Sequence, residues 1–272
     1  MSLRDRFGVS ERRACALTSQ HRSSQRYRRR LVPEEALLRQ RLQLLARRHP
    51  RYGYRRIHAI LRREGWACNR KRVQRLWRDE GLRLPARSKR RRRGPRMPGY
   101  LTAVCPDQVW AIDFVSDRTA DGRPIKILTV TDEHTREALA TPAARRMGAD
   151  ETVNVLERIV ERRGRAPKMI RCDNGPEFIS QSLRDWCRFN NAGTGYIEPG
   201  APWQNPFVES FNGHLRRELL EMESFNSLFE AQLLLEDWRL EYNYYRPHQS
   251  LNYMTPAEYA LRWRTDNQPE LS

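Results

Sequence analysis

Apolar positions in this chain keep a helical period in its first third and a strand period later. Over residues 34–47 (EEALLRQRLQLLAR) Leu37, Leu38, Leu42, Leu44 and Leu45 recur at helical spacing, and the Pro-Arg-Tyr-Gly break at 50–53 ends the pattern. Arg55–Glu64 carries Ile57, Ile60 and Leu61 on one face and is closed by Gly65. Asn69 is placed to cap a third segment, KRVQRLWRDE, that runs up to Gly81. There Val73, Leu76 and Trp77 face inward and leave Arg70, Lys71, Arg72, Arg75 and Arg78 on the other faces. Three short helices with a cationic last member have the outline of a helix-turn-helix module. A small helical bundle with no role on DNA would show the same apolar spacing, so the charge has to separate the two readings. Upstream, Ser10 is placed to cap a short helix in a segment too short to fold alone.

From residue 108 the texture changes. QVWAIDFV (108–115) and PIKILTVT (124–131) read as strands joined through an Asp121-Gly122 turn, and Glu137–Thr141 as a third. Asp150–Arg163 is expected to be a helix burying Val153, Val155, Leu156, Ile159 and Val160. A strand at Lys168–Cys172, a helix at Glu177–Phe189, a short strand at Gly195–Ile197 and a helix at Asn205–Glu223 follow. The last helix has the apolar stripe Val208, Phe211, Leu215 and Leu219. A strand meander leading into alternating helices and strands predicts an α/β domain with a mixed sheet. Between the two regions, RSKRRRRGPR (87–96) lies between Pro85 and Pro98 and reads as a linker.

Composition narrows the setting. Hydrophobic residues make up 39% of the chain, with seven Trp and eight Phe, enough for a core. No apolar run reaches the ~18 residues of a membrane span, and the N-terminus lacks the apolar region of a secretory signal. Five scattered cysteines, with no C-x-x-C and no paired Cys/His spacing, argue against a disulfide framework or a zinc site and for a cytoplasmic chain with reduced thiols. The net charge is +18, but residues 1–100 carry 31 Lys and Arg against 7 Asp and Glu, while the remainder carries 20 against 26. The basic excess is thus confined to the first third. A polyanion partner for that third follows, because phosphate neutralisation with counterion release supplies most non-specific nucleic-acid affinity. Lys71, Lys89, Lys126 and Lys168 are the only lysines among 51 cations. Guanidinium groups suit bidentate phosphate contacts, although a GC-rich genome gives the same bias. Arg90, Arg91, Arg92 and Arg93 of the linker join the five cations at 70–78 as expected phosphate contacts.

The candidate chemistry is in the carboxylates. Asp113 lies inside the apolar strand WAIDFV, where a charge is costly unless it is paired or binds metal. Asp173 follows the strand MIRC and precedes Asn174-Gly175-Pro176, a turn that exposes it at the strand's C-terminal end, where α/β sheets collect ligands. Glu209 lies in the first turn of the last core helix, with Asn205 placed as N-cap and Pro206 at N1. Glu209, Gly213, Arg216 and Arg217 share one helix face, which brings together a carboxylate, room for close approach and two phosphate-binding guanidiniums. Asp132 reads as a turn or capping residue. Glu177 reads as an acid of the following helix's first turn or as a residue supporting the site, and His214 as a surface histidine or a phosphate contact.

Taken jointly, Asp113, Asp173, Glu209 after thirty-five intervening residues, and Arg216 seven beyond that form a pattern that resembles the DDE transposases and retroviral integrases. WAIDFVSD, DGRPIKILTVTDEHTRE, RCDNGPEF, PWQNPFVESFNGHLRREL and YNYYRPHQSLNYMTPAEY are similar to the downstream reading-frame product of insertion sequences of the IS-three family, and YGYRRIHAILRREG to the helix-turn-helix segment before its catalytic core. The resemblance implies a ribonuclease H-like catalytic core at 101–222, preceded by a basic helical segment (1–32), a helix-turn-helix domain (33–84) and a basic linker (85–100), and followed by a helical extension (223–272). It implies that Asp113, Asp173 and Glu209 hold two Mg²⁺ ions, with Mn²⁺ able to substitute, ~3.5–4 Å apart for in-line phosphoryl transfer. It further implies 3′-end nicking and strand transfer on double-stranded DNA, with Arg216, Arg217, Asn174, Trp203 and Asn205 at the DNA end. A homo-oligomer on paired ends, an upstream helix-turn-helix and leucine-zipper partner or fusion, and a place in the cytoplasm with the nucleoid are implied as well. A structure-selective nuclease of the same fold, which cuts without joining, and a catalytically dead DNA-binding regulator are the rival readings.

Overall fold

The computed structural model describes residues 7–26, 33–85, 102–196 and 205–267. Arg90–Arg93 and Trp203 lie outside the described residues.

Two short helices come first, α1 (Glu11–Leu17), capped by the Ser10 hydroxyl, and α2 (Arg22–Arg26). The helical unit follows as α3 (Pro33–Arg48), α4 (Tyr54–Arg63) and α5 (Arg70–Asp79). Its core joins Leu38, Leu42 and Leu45 to Ile57, Ile60 and Leu61 and to Val73, Leu76 and Trp77, with Tyr52 and Cys68 filling the corners. Leu37 and Leu44 point outward instead, because the stripe on α3 follows the i, i+4, i+7 row and those two residues fall beside it. The Asn69 side chain accepts the Arg72 amide at 2.7 Å and so starts α5.

The sheet is built from β1 (Val109–Arg118), β2 (Pro124–Asp132), β3 (Ala138–Ala140), β4 (Ala143–Ala144), β5 (Met169–Cys172) and β6 (Gly193–Tyr196). Its order is β3-β2-β1-β5-β6, with β4 also paired to β2. β1 is antiparallel to β2 but parallel to β5, and β5 is parallel to β6, so the sheet is mixed as expected. The parallel pairs are bridged by α6 (Ala149–Arg163) and α7 (Gln181–Phe189). These pack on the sheet face that presents Trp110, Ile112, Leu128 and Val130. The opposite face presents Val115, Ile125 and Ile127 to α8 (Pro206–Leu215) and α9 (Leu228–Tyr244). Alternation along a strand decides which side chain goes where: Asp113 shares parity with Val115 and therefore faces α8. The chain ends in a 3₁₀ turn (Gln249–Leu251) and α10 (Pro256–Asp266).

Two helices differ from expectation. α7 begins four residues later than the sequence pattern suggests, because the Ser180 hydroxyl caps it by accepting the Leu183 amide, and residues 177–180 form a turn. α8 does not continue regularly to residue 223. It passes into a single π-helical turn, Arg216–Leu220, where the Glu221 amide reaches the Arg216 carbonyl at 2.8 Å.

Leu156 of α6 is fully buried in the sheet–helix core. Leu156→Ala is expected to lower unfolding stability by about 2–5 kcal/mol, read as a drop in denaturant midpoint at unchanged m-value.

Candidate active site

Asp113 stands in the middle of β1, opposite Thr129 of β2. One carboxylate oxygen accepts its neighbour Phe114's amide at 2.8 Å, and the other accepts the Asn212 side-chain amide of α8 at 2.7 Å. Burial pushes this carboxyl up to about 6; the two hydrogen bonds oppose the shift, while the negative charges of Asp173 and Glu209 add to it. All three carboxylates named from the sequence thus lie in one electrostatic field. Asp113 is the half-buried member, and the other two are exposed to whatever enters from solvent. Among the described residues, no three His, Cys, Asp or Glu side chains are gathered closely enough to form a metal cage by themselves.

Asp173 leaves the end of β5, where its Oδ1 accepts the Gly175 amide at 2.9 Å. A Cβ at residue 175 would stand 2.9 Å from that same oxygen, so any other residue there would push the Asp173 carboxylate out of this position. The strand behind it is held by Arg171, which is buried and paired with buried Glu133. Glu177 is not in the first turn of α7. It pairs with Lys126, whose ammonium lies 3.9 Å above the Phe114 ring, and this holds its carboxyl low. Lys126 thereby ties the turn after Asp173 to the strand pair that carries Asp113. Asp132 takes the turn role expected of it, accepting the amides of Asp107, His134 and Thr135 at 2.6, 2.9 and 2.7 Å.

Glu209 is in the first turn of α8, with Pro206 at its start. Asn205 holds the N-cap position, yet its side chain makes no capping bond. It is only 3% exposed, its Oδ1 lacks a partner, and the carbonyl does the work by accepting the Glu209 amide at 3.2 Å. Gly213, one turn beyond Glu209, leaves room that the Arg217 guanidinium occupies: a Cβ there would meet Arg217 Nη1 at 3.1 Å. Arg217 also reaches His214 Nδ1 at 3.1 Å, and Arg216 is exposed. His214 is not a surface histidine. Burial, with the positive charges of Arg246, Arg56 and Arg217 around it, holds the ring neutral. Asn174 is exposed beside Asp173.

On α5, Arg70, Lys71 and Arg78 are exposed and Arg72 half-buried, while Arg75 is tied back to Glu35 at 3.0 Å and is the least available of the five. Two contributors escape a reading of the sequence. Asn212, which fastens Asp113 to α8, has only its poor fit to a helix interior as a signal. Glu218 and Arg246 form a buried pair behind the site, and charged residues ordinarily mark surface.

A mixed sheet with helices on both faces, preceded by a helical unit, is the architecture of a ribonuclease H-like integrase core. Two family models, each described as an integrase core domain, match residues 103–202 and 190–256, and a model described as an HTH-like domain matches 33–92. An uncharacterized 31.7 kDa protein of insertion element IS407 from Burkholderia multivorans is 39% identical over 97% of this chain and 95% of its own. The transposase InsD for insertion element IS2 of Escherichia coli is 30% identical over 80% of this chain and 76% of its own. A simian T-cell lymphotropic virus intasome, solved in complex with a PP2A regulatory subunit, has a chain that superposes with a TM-score of 0.50 at 17% identity, covering 76% of this chain and 69% of that one. The chain belongs to the insertion-sequence transposases of the DDE/integrase superfamily.

The raised carboxyl of Asp113 has a consequence for stability. Its value in the unfolded chain is 3.8 and in the folded chain about 6, so between these the native state binds the extra proton. Stability from this group therefore falls as pH rises from about 4 to about 6 and stays low above. In the presence of a chelator, Asp113→Asn is expected to match wild type near pH 4 and to exceed it at pH 7.5 by on the order of 1–2 kcal/mol, measured by denaturant unfolding. Equal stabilities at both pH values would show that the carboxylate is not under strain.

Proposed function

We propose that the chain is a metal-dependent DNA transposase that nicks the 3′ ends of an insertion element and joins them to target DNA by in-line phosphoryl transfer. The observation that carries this reading is the Asp113 carboxyl, hydrogen-bonded to Asn212 of α8 and pushed up by burial first and then by the negative charges of Asp173 and Glu209. Three acidic side chains from two strand positions and one helix repel one another until a cation joins them, and oxygen-only donors fit Mg²⁺, with Mn²⁺ as substitute. Asp113, Asp173 and Glu209 would hold the ions. When bound, such ions lower the pKa of an attacking water or 3′-hydroxyl and stabilise the departing 3′-oxygen.

The protein's own side chains do the rest. Asn212 and the Phe114 amide orient both oxygens of Asp113, so that its lone pairs face a fixed direction. The Gly175 amide does the same for one oxygen of Asp173. Arg216 and Arg217 follow Glu209 on the same helix and supply positive charge for the scissile strand, with Asn174 at the turn beside Asp173. Asn205 is buried at the start of α8 and shapes the entry to the site by its backbone. The helical unit at 33–84 reads the terminal inverted repeat through Arg70, Lys71, Arg72 and Arg78, and Arg90–Arg93 add phosphate contacts. The active particle is a homo-oligomer on paired ends, completed by an upstream helix-turn-helix partner or fusion.

Asp113→Asn, Asp173→Asn and Glu209→Gln are each expected to reduce joining of a labelled 3′ end to a second DNA by about a thousandfold or more while leaving binding to the terminal repeat within a few-fold. Cutting without joining by the wild type would favour a nuclease, and retained joining by a variant would remove that residue from the site. Independently of activity, Mg²⁺ is expected to raise the thermal midpoint of the wild type and to lose that effect in Asp113→Asn. Replacing both Lys71 and Arg72 by Ala is expected to flatten the dependence of log affinity on log salt by about two, uniformly across DNA sequences.

A further inference from the structure

The helical unit does not hang from its connector. It is seated on the C-terminal part of the chain, and the seat lies on the continuation of the helix that carries Glu209. Glu218, in the π turn after α8, receives Arg246 through two bonds of 2.7 Å each, and Arg246 is 1% exposed. On the same carboxylate, Arg56 of α4 approaches to 3.5 Å. Tyr52 of the helical unit is buried and lies beneath both guanidiniums, 5.3 Å from Arg56 and 5.8 Å from Arg246. Beside this centre, His49 stacks between Tyr52 and Tyr245 at 4.6 and 5.2 Å and meets Glu241 of α9 at 3.1 Å. Tyr245 itself packs against the apolar core of the helical unit. At the far edge, one guanidinium of α4, Arg63, bonds the carbonyls of Tyr245 and Tyr253 at 3.0 and 2.9 Å and the Glu258 carboxylate at 2.7 Å.

This is more than an encounter of two surfaces. A buried cation whose counter-charge is shared with a residue of the other unit makes separation expensive, because parting the units exposes one charge and leaves the other short of a partner. A guanidinium with three acceptors fixes orientation as well as distance. The cations expected to meet DNA are on α5, whereas the seam uses α4 and the 49–52 turn, so both can operate together.

We propose that the helical unit and the catalytic domain move as one body, clamped by Glu218, Arg246, Arg56, Tyr52, His49 and Arg63. Resting on the transposase reading above, the clamp rather than the 86–101 connector then sets the distance between the DNA read by α5 and the phosphodiester presented to the triad. The helix is the shared part: Glu209 at one end belongs to the chemistry, and Glu218 at the other belongs to the seam.

The test begins without DNA. A recognition sequence for a site-specific protease is inserted between Pro98 and Gly99 of the full chain, clear of the Arg90–Arg93 cluster, the purified protein is cut, and the products are run on gel filtration at physiological salt. The two fragments are expected to elute together, and Arg63→Ala, a change at a solvent-accessible edge, is expected to weaken their association at least tenfold. Separation of the unsubstituted fragments would overturn the clamp. A second arm inserts about twenty Gly and Ser residues at the same point and maps the nick on terminal-repeat DNA with Mg²⁺. Nicking is expected at the same nucleotide and within twofold of the normal rate; a displaced or lost nick, where the unextended chain nicks normally, would show that the connector is the ruler. If the fragments stay together and neither protein nicks even with the upstream helix-turn-helix partner supplied, the clamp stands and the transposase reading fails.

Discussion

A carboxylate placed inside an apolar strand is the constraint around which this molecule is arranged. Among the described residues Asp113 is paired with no cation. What it has instead is two hydrogen bonds, one from its own strand and one from Asn212 across the layer. That second bond explains why α8 is where it is. Phe211, Leu215 and Leu219 press the helix onto the sheet, but apolar contact is indifferent to small slides, whereas a donor at 2.7 Å is not. Once α8 is registered on β1, Glu209 is brought to the same field as Asp113 and Asp173.

The sheet supplies the other coordinate. β5 pairs parallel to β1, which places the end of MIRC, and hence Asp173, alongside the middle of β1. Arg171 and Glu133 lock that strand from behind, and the Lys126–Glu177 pair locks the turn in front. Each of these pairs joins residues distant in sequence.

Much of this was readable from residue order. The helical unit followed from apolar rows in α3, α4 and α5, and the mixed sheet from two strand-like runs followed by alternating helices. The three acids were nominated as a set, through spacing and local strings, although none stood out singly; their joint role belongs to the proposed function. Where reading failed, the cause was three-dimensional. Leu37 and Leu44 look like core residues until the helix phase is known. Glu177 is acidic near a helix, yet Ser180 takes the cap and excludes it from that helix. His214 seems a surface residue because its cationic surroundings come from Arg56 and Arg246, far away in sequence. Glu218 and Arg246 are two more charges in a chain rich in them, and only their contact reveals a buried pair.

The π turn at Arg216–Leu220 gives α8 and its extension two rotational phases. Through Leu215 and Leu219 the rod is geared to the sheet, and through Glu218 to the helical unit. A π turn amounts to one surplus residue accommodated without breaking the rod. Shortening the chain by one residue there would restore an unbroken α-helix and leave the stretch around Glu209 where it is. Everything after the turn would be rotated by about 100° about the helix axis, carrying Glu218 off the Arg246–Arg56 seat. In this rod, length encodes angle: a one-residue change, harmless in a loop, would here disengage one half of the protein from the other.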